Sequence, residues 1–298
     1  MQSDRVVITG GSGLIGRALT ADLAAAGYEV VIFSRNPERV RDLPLGVRAE
    51  AWHSQIAQEA TIIVNLAGES LAAGRWTAER KRRILESRVT AGEFVSRAVE
   101  AARIKPRVVV QASAVGYYGP RGDEEVTEQS ASGSGFLAPV CLAWEASTAP
   151  VETLGVRRPI IRTGVVLSTK GGALPRLLLP FRLFVGGPLG SGRQWFPWIH
   201  LADEVGAIRF LIENESARGP FNLASPRPVT NAAFSTELGE VLGRPSSFRV
   251  PGSALRLALG EMATALLDGQ RALPRRLIEL GYAFRFPDVH SALTDLLK

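Results

Sequence analysis

The segment "VVITGGSGLIGRAL", Val6 to Leu19, sets the architecture of this chain. An apolar run ends at Thr9, glycines follow at positions 10, 13 and 16, and a segment of helical period begins there. Such glycines permit a tight turn and let backbone amides approach a pyrophosphate at the positive end of a helix. The strand before and the helix after favour a dinucleotide-binding loop over an ordinary structural turn. The expected contacts come from Gly10, Gly11, Ser12, Gly13, Leu14, Ile15 and Gly16.

The rest of the first half repeats this alternation of strand and helix. Short apolar runs, "EVVIFS", "TIIVNLAG" and "RVVVQAS", are separated by longer segments of helical period. Strands without a polar face predict a parallel sheet covered on both sides, an α/β Rossmann fold that is doubly wound. We predict a Rossmann domain over residues 1–248, with substrate-side segments from about residue 168, and a smaller helical extension over 249–298 packed on it.

The second half adds four features. Pro159 cannot donate a ladder hydrogen bond, so its apolar run is expected to be an edge, a bulge or a strand start. Residues 184–200 are rich in Gly, Pro and aromatic residues, which favours a substrate-side loop or lid. Residues 252–269 are predicted as one strongly apolar helix, and residues 288–297 as a capped terminal helix.

Composition excludes several classes of function. The one cysteine, Cys141, cannot form an internal disulfide, and its apolar neighbours favour a buried side chain over a nucleophile. No Cys or His pattern has metal-ligand spacing, so no metal is predicted. The chain opens directly on a strand-like run and has no run of about 18 apolar residues. We therefore expect a soluble, cytoplasmic monomer or homodimer without membrane contact.

The charge pattern bears on the partner. The formal net charge is +6, from 35 basic and 29 acidic residues. The densest basic cluster, Glu79 to Arg88, carries acidic residues at helical spacing and no aromatic stacking motif, which favours a solvated helix face over a nucleic-acid surface. We predict no nucleic-acid partner. An anionic small molecule is the expected partner.

The end of the second apolar run bears on the choice of cofactor. An NAD-preferring site places an acidic residue there against the ribose hydroxyls, whereas this chain has Ser34 and Arg35. A charge-assisted hydrogen bond from arginine to a phosphate is worth roughly 1.5 to 3 kcal/mol, or about ten- to a hundredfold in affinity. The predicted cofactor is NADP(H), and the alternative is a solvated arginine after a strand.

Further motifs extend from end to end of the chain: "NLAGESL", "RWTAERKRRILESRV", "SAVGYYG", "FLAPVCLAWE", "RTGVVLS", "GGPLGSGRQWFPWIH" and "LPRRLIELGYAFRFP". Together with the glycine loop they resemble the short-chain dehydrogenase/reductase superfamily. Within it, they resemble an atypical extended branch described as nucleoside-diphosphate-sugar epimerase-like, with a C-terminal extension domain. The resemblance implies that Asn65, Leu66, Ala67 and Gly68 lie beside the ribose and nicotinamide; the alternative is a turn that ends a strand.

The resemblance also implies an active site, which is incomplete. Ser113 matches the serine that holds the reacting carbonyl or hydroxyl, although it could be an ordinary strand-end hydroxyl. The superfamily's base is a tyrosine followed four residues later by a lysine, and those two positions hold Leu137 and Cys141. An unperturbed tyrosine is ionised to only about one part in a thousand at pH 7. Tyr117 or Tyr118 could therefore donate a proton, but would need another cation to act as a base.

Two functions remain open from the sequence. One is an NADP(H)-dependent oxidoreductase or epimerase that acts on a hydroxyl or carbonyl carbon of an unidentified, sugar-nucleotide-like substrate. The other is a non-catalytic NADP(H)-binding sensor or interaction protein, favoured by the missing dyad. Lys81 is a candidate replacement cation on resemblance alone, and His200 could hold substrate or cap the helix after it. The candidate substrate residues are Arg193, Gln194, Trp195 and His200.

Overall fold

The structure is a computed structural model that describes residues 4–53, 58 and 60–298. Its strands are β1 (Arg5–Thr9), β2 (Glu29–Ser34), β3 (Arg48–Ala51), β4 (Ile62–Asn65), β5 (Val108–Ala114), β6 (Glu125–Val126), β7 (Pro159–Thr163), β8 (Val165–Leu167), β9 (Trp195–Phe196), β10 (Trp198–His200), β11 (Gly219–Leu223), β12 (Val229–Thr230) and β13 (Arg271–Ala272). Within the described residues, seven strands form one parallel sheet in the order β11, β7, β5, β4, β1, β2, β3. The predicted doubly wound α/β fold is confirmed.

Helices cover both faces of the sheet. They are α1 (Leu14–Ala25), α2 (Ala78–Ala101), α3 (Leu137–Ser147), α4 (Pro150–Thr153), α5 (Leu174–Arg182), α6 (Leu201–Glu213), α7 (Asn231–Leu242), α8 (Gly252–Leu259), α9 (Thr264–Leu267), α10 (Arg275–Glu279) and α11 (Val289–Leu297). Because side chains of a strand alternate between its faces, Val6 and Ile8 pack with α1 and α6, while Val7 packs with α2 and α4. Burial on both faces explains why these strands lack polar alternation.

A second apolar cluster lies outside the sheet. Helices α5, α7 and α11 contribute Leu178, Phe234 and Leu293, of which none is more than 2% exposed. The predicted terminal helix is present as α11, and the Asp288 carboxylate caps it by accepting from the Ser291 backbone N–H at 2.9 Å. Among the described residues, no helix is both long and apolar enough to cross a membrane.

Two predictions about the second half can be compared with the structure directly. Pro159 is the first residue of β7, so its missing N–H is accommodated at a strand start. The prediction of one helix over residues 252–269 is wrong. Helix α8 ends before Gly260, which has a φ of +61°, and a 3-10 turn separates α8 from α9. Helix α8 also buries none of its residues, so its apolar composition does not make it a core helix.

The C-terminal segment is fastened to the preceding part of the chain by strand pairing and by a side-chain carboxylate. Strand β13 pairs in parallel with β6, next to the loop that follows β5. The Asp203 carboxylate at the start of α6 accepts from the backbone N–H groups of Arg285 and Phe286, at 2.7 and 2.9 Å. The domain boundary between residues 248 and 249 stays a prediction.

Candidate active site

The glycine loop has the geometry that a dinucleotide requires. Gly10 has a φ of +74°, and a Cβ there would lie 2.7 Å from the Leu66 backbone. A Cβ at Gly16 would lie 2.5 Å from the Gly10 carbonyl oxygen, which is too close for any other residue. The first turn of α1 holds no acidic residue, and Gly13 supplies no side-chain cap. The N-terminal amides of α1 are therefore free to bind a phosphate, and the loop fits a pyrophosphate.

A groove of about 780 Å³ runs from this loop to the end of β2. Predicted cofactor residues that line it are Gly10, Ser12, Gly13, Ser34, Arg35, Leu66, Ala67 and Gly68. A smaller adjoining cavity of about 240 Å³ is lined by Leu14, Ile15 and Gly16. Most of the predicted cofactor residues therefore lie together along one continuous surface.

Two predicted cofactor residues support the groove from behind without lining it. A Cβ at Gly11 would lie 2.7 Å from the Ile32 side chain, so this glycine lets the loop pack on β2. Asn65 is fully buried, where it accepts from the Thr9 hydroxyl at 2.6 Å and donates to Gln111 at 2.9 Å. These bonds join the ends of β1, β4 and β5 and so hold the floor of the site.

One wall of the groove comes from α2, and the sequence pattern predicts a solvated face for the start of this helix. Arg83, Ser87, Thr90, Phe94 and Arg97 line the groove. Their spacing of three and four residues places them on one side of the helix. The sequence analysis did not predict this wall, although its pattern is visible in the sequence as a stripe of mainly polar and cationic residues that continues past the basic cluster.

The end of the groove at β2 presents a cation. Arg35 is exposed, and no carboxylate in the described part of the chain pairs with it. Arg39 lines the same end of the groove and lies 3.9 Å from the Glu38 carboxylate. An unpaired guanidinium at this place suits a phosphate on the adenosine ribose.

A second cavity, of about 330 Å³, opens beyond the carboxyl ends of β5 and β7, and we call it the pocket. The small cavity at α1 shares Gly10 and Gly13 with the groove, and it shares Val165 and Ala173 with the pocket. The small cavity thus lies between the groove and the pocket and adjoins both. A dinucleotide in the groove would have one end near the pocket, where parallel α/β sheets place their ligands.

The candidate substrate residues divide between pocket and surface. Gln194 and Trp195 line the pocket, and their role in holding substrate stays a prediction. Both polar groups are committed to structural bonds, since Gln194 Nε2 donates to the Leu189 and Leu266 carbonyls and Trp195 Nε1 donates to Asp123 at 3.0 Å. Arg193 is exposed and lines none of the described cavities.

His200 serves as a helix cap, one of its two predicted alternatives. It is 5% exposed, and its Nδ1 accepts from the Ala202 backbone N–H at 3.0 Å at the start of α6. Burial lowers the pKa of this imidazole, although the Asp295 carboxylate, 3.3 Å from Nε2, opposes the shift. His200 therefore accepts at Nδ1 as a neutral ring and contacts none of the cavities.

Ser113 is part of a buried ion-pair network. Its side chain is almost completely buried, and Oγ donates to Glu145 Oε1 at 2.6 Å. Both oxygens of Glu145 accept from the Arg162 guanidinium, at 2.9 and 3.0 Å. The same guanidinium lies 3.4 Å from the centre of the Tyr117 ring. The Ser113 hydroxyl is thus used to orient a carboxylate inside the protein.

Tyr118 extends the same network. It is fully buried, donates from its hydroxyl to Asn222 Oδ1 at 2.7 Å and accepts from Arg162 at 3.1 Å. Burial raises the pKa of Tyr118 to about 12 despite the nearby guanidinium, so the phenol stays neutral. None of Ser113, Tyr117 and Tyr118 lines the described pocket, and their predicted catalytic roles stay predictions without support from the geometry.

The positions of the missing dyad are filled by packing residues. Leu137 lines the pocket, and Cys141 is buried with Sγ 3.7 Å from the Ala114 carbonyl oxygen. Burial raises the pKa of this thiol to about 11, which keeps it protonated at neutral pH. Lys81, the candidate replacement cation, pairs with Glu261 at 2.8 Å.

One residue of the pocket wall is hydrogen-bonded to a buried acid. Thr163, which lines the pocket at the end of β7, donates to Glu204 Oε1 at 2.9 Å. Glu204 is fully buried, and no cation in the described part of the chain pairs with it. Burial raises the pKa of Glu204 to about 8, so it is mostly protonated at neutral pH. The sequence analysis missed this pair because the two residues are 41 positions apart.

Elsewhere, three potential metal ligands lie close together. Atoms of Glu237, Glu240 and His290 lie within 4.8 Å of one another, and His290 Nδ1 is 2.9 Å from Glu237 Oε2. These side chains are half-buried or exposed and lie away from the groove and the pocket. Such surface clusters commonly occur without an ion, and the absence of a metal stays a prediction.

Comparison with known proteins extends over nearly the whole chain. Residues 6–142 match the NAD dependent epimerase/dehydratase family, and residues 250–296 match a domain of unknown function, DUF1731. The epimerase family protein Mb2239 of Mycobacterium bovis is 42% identical over 290 residues, covering 97% of this chain and 96% of the relative. Human epimerase family protein SDR39U1 (isoform 2), crystallised with NADPH, superposes with a TM-score of 0.90 at 35% identity and 98% coverage of each chain.

A more distant structure shares the fold alone. UDP-glucuronic acid 4-epimerase from Bacillus cereus, in complex with UDP-glucuronic acid and NAD, superposes with a TM-score of 0.79 at 13% identity, covering 98% of this chain and 97% of that one. The fold and the groove therefore define an NAD(P)-binding protein of the extended short-chain dehydrogenase/reductase type. More narrowly, the chain belongs to the epimerase family.

Proposed function

We propose that this protein is an NADP(H)-dependent oxidoreductase or epimerase that acts on a carbon bearing a hydroxyl or a carbonyl. The observation that carries the proposal is the series of three adjoining cavities from Arg35, along the glycine loop, to the pocket. A cofactor that filled the groove would have its adenosine end at the cation and its reactive end at the pocket. The human relative crystallised with NADPH supports the choice of cofactor.

The chain supplies binding and orientation for that cofactor. The open amides of α1 would hold the pyrophosphate, and Arg35 would hold the 2′-phosphate. The nicotinamide would supply hydride exchange with the substrate carbon. The protein must then supply or remove the proton on the substrate oxygen.

Thr163 is the residue best placed to handle that proton. Thr163 lines the pocket, and its hydroxyl donates to the Glu204 carboxyl at 2.9 Å. When a carbonyl is reduced, Thr163 would give its proton to the substrate oxygen and take one from the protonated Glu204. In the reverse direction, the ionised carboxylate would accept the proton through the same hydroxyl. This pair replaces the tyrosine and lysine that are absent at positions 137 and 141.

The test is a comparison of three variants in NADPH oxidation across a panel of aldehydes and ketones, with NADPH affinity measured in parallel by calorimetry. General acid catalysis contributes on the order of a hundredfold or more, so we expect Thr163→Val to lower kcat by at least that factor and to leave NADPH affinity unchanged. Thr163→Ser keeps the hydroxyl and should restore most of the rate. Ser113→Ala should have the smaller effect, because the Ser113 hydroxyl contacts Glu145 rather than the pocket.

Two results would overturn the proposal. If the wild-type protein binds NADPH but oxidises it with none of the carbonyl compounds, the enzyme assignment fails. If Ser113→Ala abolishes turnover while Thr163→Val does not, the assignment of the proton donor fails and the role implied by resemblance is restored.

A second function, a non-catalytic NADP(H)-binding protein, is favoured by one observation. The dyad positions hold packing residues, and the family-type serine is committed to a buried carboxylate. A sensor of this kind should change its assembly when cofactor binds. Size-exclusion chromatography with and without NADPH tests this, and an unchanged elution volume would count against it.

A further inference from the structure

We infer that the pocket takes an uncharged, predominantly apolar carbonyl or alcohol and rejects nucleoside-diphosphate sugars. The inference rests on the proposed function for the role of the pocket, and it departs from the expectation of an anionic, sugar-nucleotide-like substrate. Three features of the pocket wall carry it: the side chains that form the wall, the sign of its charges and the commitment of its amide groups.

The wall is formed mainly by apolar side chains. Aromatic rings come from Trp76, Phe136, Trp195 and Phe196, and aliphatic side chains come from Leu71, Val115, Leu137, Val165, Leu177, Leu189 and Leu266. Removing apolar surface from water favours binding, so this wall favours hydrocarbon over hydroxyl groups. A volume of about 330 Å³ is at the small end of ligand pockets, which suits a compact molecule.

The charges at the pocket have the wrong sign for a diphosphate. Among the described residues, no lysine or arginine lines it, whereas the carboxylates of Glu261 and Asp268 do. Lys81, at the edge near Phe136, is paired with Glu261 at 2.8 Å and lies 5.3 Å from the ring centre. Burial raises the pKa of Asp268, although the Arg256 guanidinium opposes the shift. A diphosphate placed in the pocket would meet the like charges of Glu261 and Asp268, with no lysine or arginine among the described lining residues.

The amide groups of the wall are used to hold the wall together. Gln194 donates to the Leu189 and Leu266 carbonyls, and Gln270 donates to the Gly119 carbonyl at 2.9 Å. Asn231 Oδ1 accepts from the Leu189 backbone N–H at 2.7 Å. A sugar ring brings several hydroxyls that need partners when buried, and one end of each of these amides is already engaged within the wall. One oxygen, facing Thr163, is the polar group that the pocket accommodates best.

The test is calorimetric titration of the NADP⁺-saturated protein with two probes, 2-acetylnaphthalene and UDP-glucose, in wild type and two variants. Leu177→Trp fills the pocket from α5, whereas Leu179→Trp is a matched control, since Leu179 is 58% exposed on the same helix. We expect 2-acetylnaphthalene to bind the wild type and the control alike and to bind Leu177→Trp about tenfold or more weakly, because overpacking opposes it. UDP-glucose should give no binding in any of them.

Each other outcome overturns the inference. Binding of UDP-glucose that is as tight as that of the ketone, and weakened by Leu177→Trp, would show that the pocket accepts a diphosphate. If 2-acetylnaphthalene does not bind, or if its affinity is the same for wild type and Leu177→Trp, the apolar wall does not select the ligand. A titration of the same protein with NADP⁺ alone distinguishes failure of the proposed function from failure of this inference. If NADP⁺ does not bind, the proposed function fails. The two probes can then be compared on the protein without cofactor, which still tests the selectivity of the pocket.

Discussion

The groove and the pocket lie at the same edge of the sheet, yet they are built differently. The groove is lined by glycines and arginines together with two glutamates and several apolar side chains, and its glycine loop has the features of a dinucleotide site. The pocket is walled mainly by apolar side chains, and no lysine or arginine is among its described lining residues; one of them is Leu137, at the position where the resemblance places the tyrosine of the superfamily. The difference indicates that the chain has the residues of a dinucleotide site in the groove and a wall of different chemistry in the pocket.

Two buried carboxylates behind these sites show the same contrast. Glu145 accepts hydrogen bonds from Arg162 and Ser113, so it is held in an ion pair. Glu204 has only the Thr163 hydroxyl, and its Oε2 has no hydrogen-bond partner among the described residues. A fixed charge suits a structural role, whereas a neutral acid next to a pocket suits the movement of a proton.

The largest effect is expected on the structural side, from Arg162→Met. The substitution leaves Glu145 buried and without its cation, and breaking a buried pair in this way typically costs about 3 to 5 kcal/mol. Urea unfolding should show a loss of that size in the free energy of unfolding. NADPH affinity should stay within about twofold, because Arg162 does not line the groove.

A matched control for Arg162→Met is Arg82→Met, which removes an exposed ion pair with Glu86 at 3.8 Å on α2. Exposed pairs contribute about 0.5 kcal/mol or less, so this variant should be close to wild type. Replacing both Arg162 and Glu145, with methionine and leucine, should recover much of the loss. If Arg162→Met costs less than about 1 kcal/mol, the network around Ser113 is not the structural unit described above.

The next effect is a pH dependence of stability that comes from Glu204. Its pKa is about 8 in the folded protein and near 4.5 when exposed, so between these values the folded state holds a proton that the unfolded state has released. The stability from this group is fully present below pH 4.5 and is lost as the pH rises through about 8. Between about pH 5 and pH 8 the loss is on the order of 3 kcal/mol.

The measurement is urea unfolding of wild type and Glu204→Gln across that pH range. Glutamine keeps an acceptor for Thr163 but cannot ionise, so the variant should lose this part of the pH dependence and be the more stable protein at pH 8. The kcat for carbonyl reduction should fall above about pH 8 in the wild type, as Glu204 ionises, and this limb should be absent in the variant. Parallel stability curves for the two proteins would show that Glu204 does not hold a proton.

The groove could be predicted from the sequence because its determinants are local. The glycines at positions 10, 13 and 16 fall in one turn between β1 and α1, and Arg35 follows β2 directly. Local spacing therefore fixes the geometry of this part of the site. The α2 wall was missed even though its helical spacing is visible, since a charged helix face is usually solvated.

The pocket could not be predicted, because six separate segments form it. Its walls come from residues 71–76, 114–120, 134–137, 163–177, 189–197 and 261–270, with Asn231. Sequence alone does not show that Ser113 contacts Glu145. The network also needs Arg162, which is 17 residues after Glu145 and lies on a different strand from Ser113. Nor does it show that Gly260 ends a helix, because an isolated glycine is compatible with continuation.

The smallest expected effect tests the groove side of the comparison through Arg35→Ala. Calorimetry should show NADPH binding weakened by about ten- to a hundredfold, while NADH binding is nearly unchanged, because only NADPH carries the 2′-phosphate. Arg103→Ala is the control, since Arg103 is exposed and lies outside the described cavities. Equal losses for both cofactors would mean that Arg35 supports the end of β2 rather than the phosphate. The stripe on α2, with Arg83 and Arg97, would then be the place to look for the phosphate site.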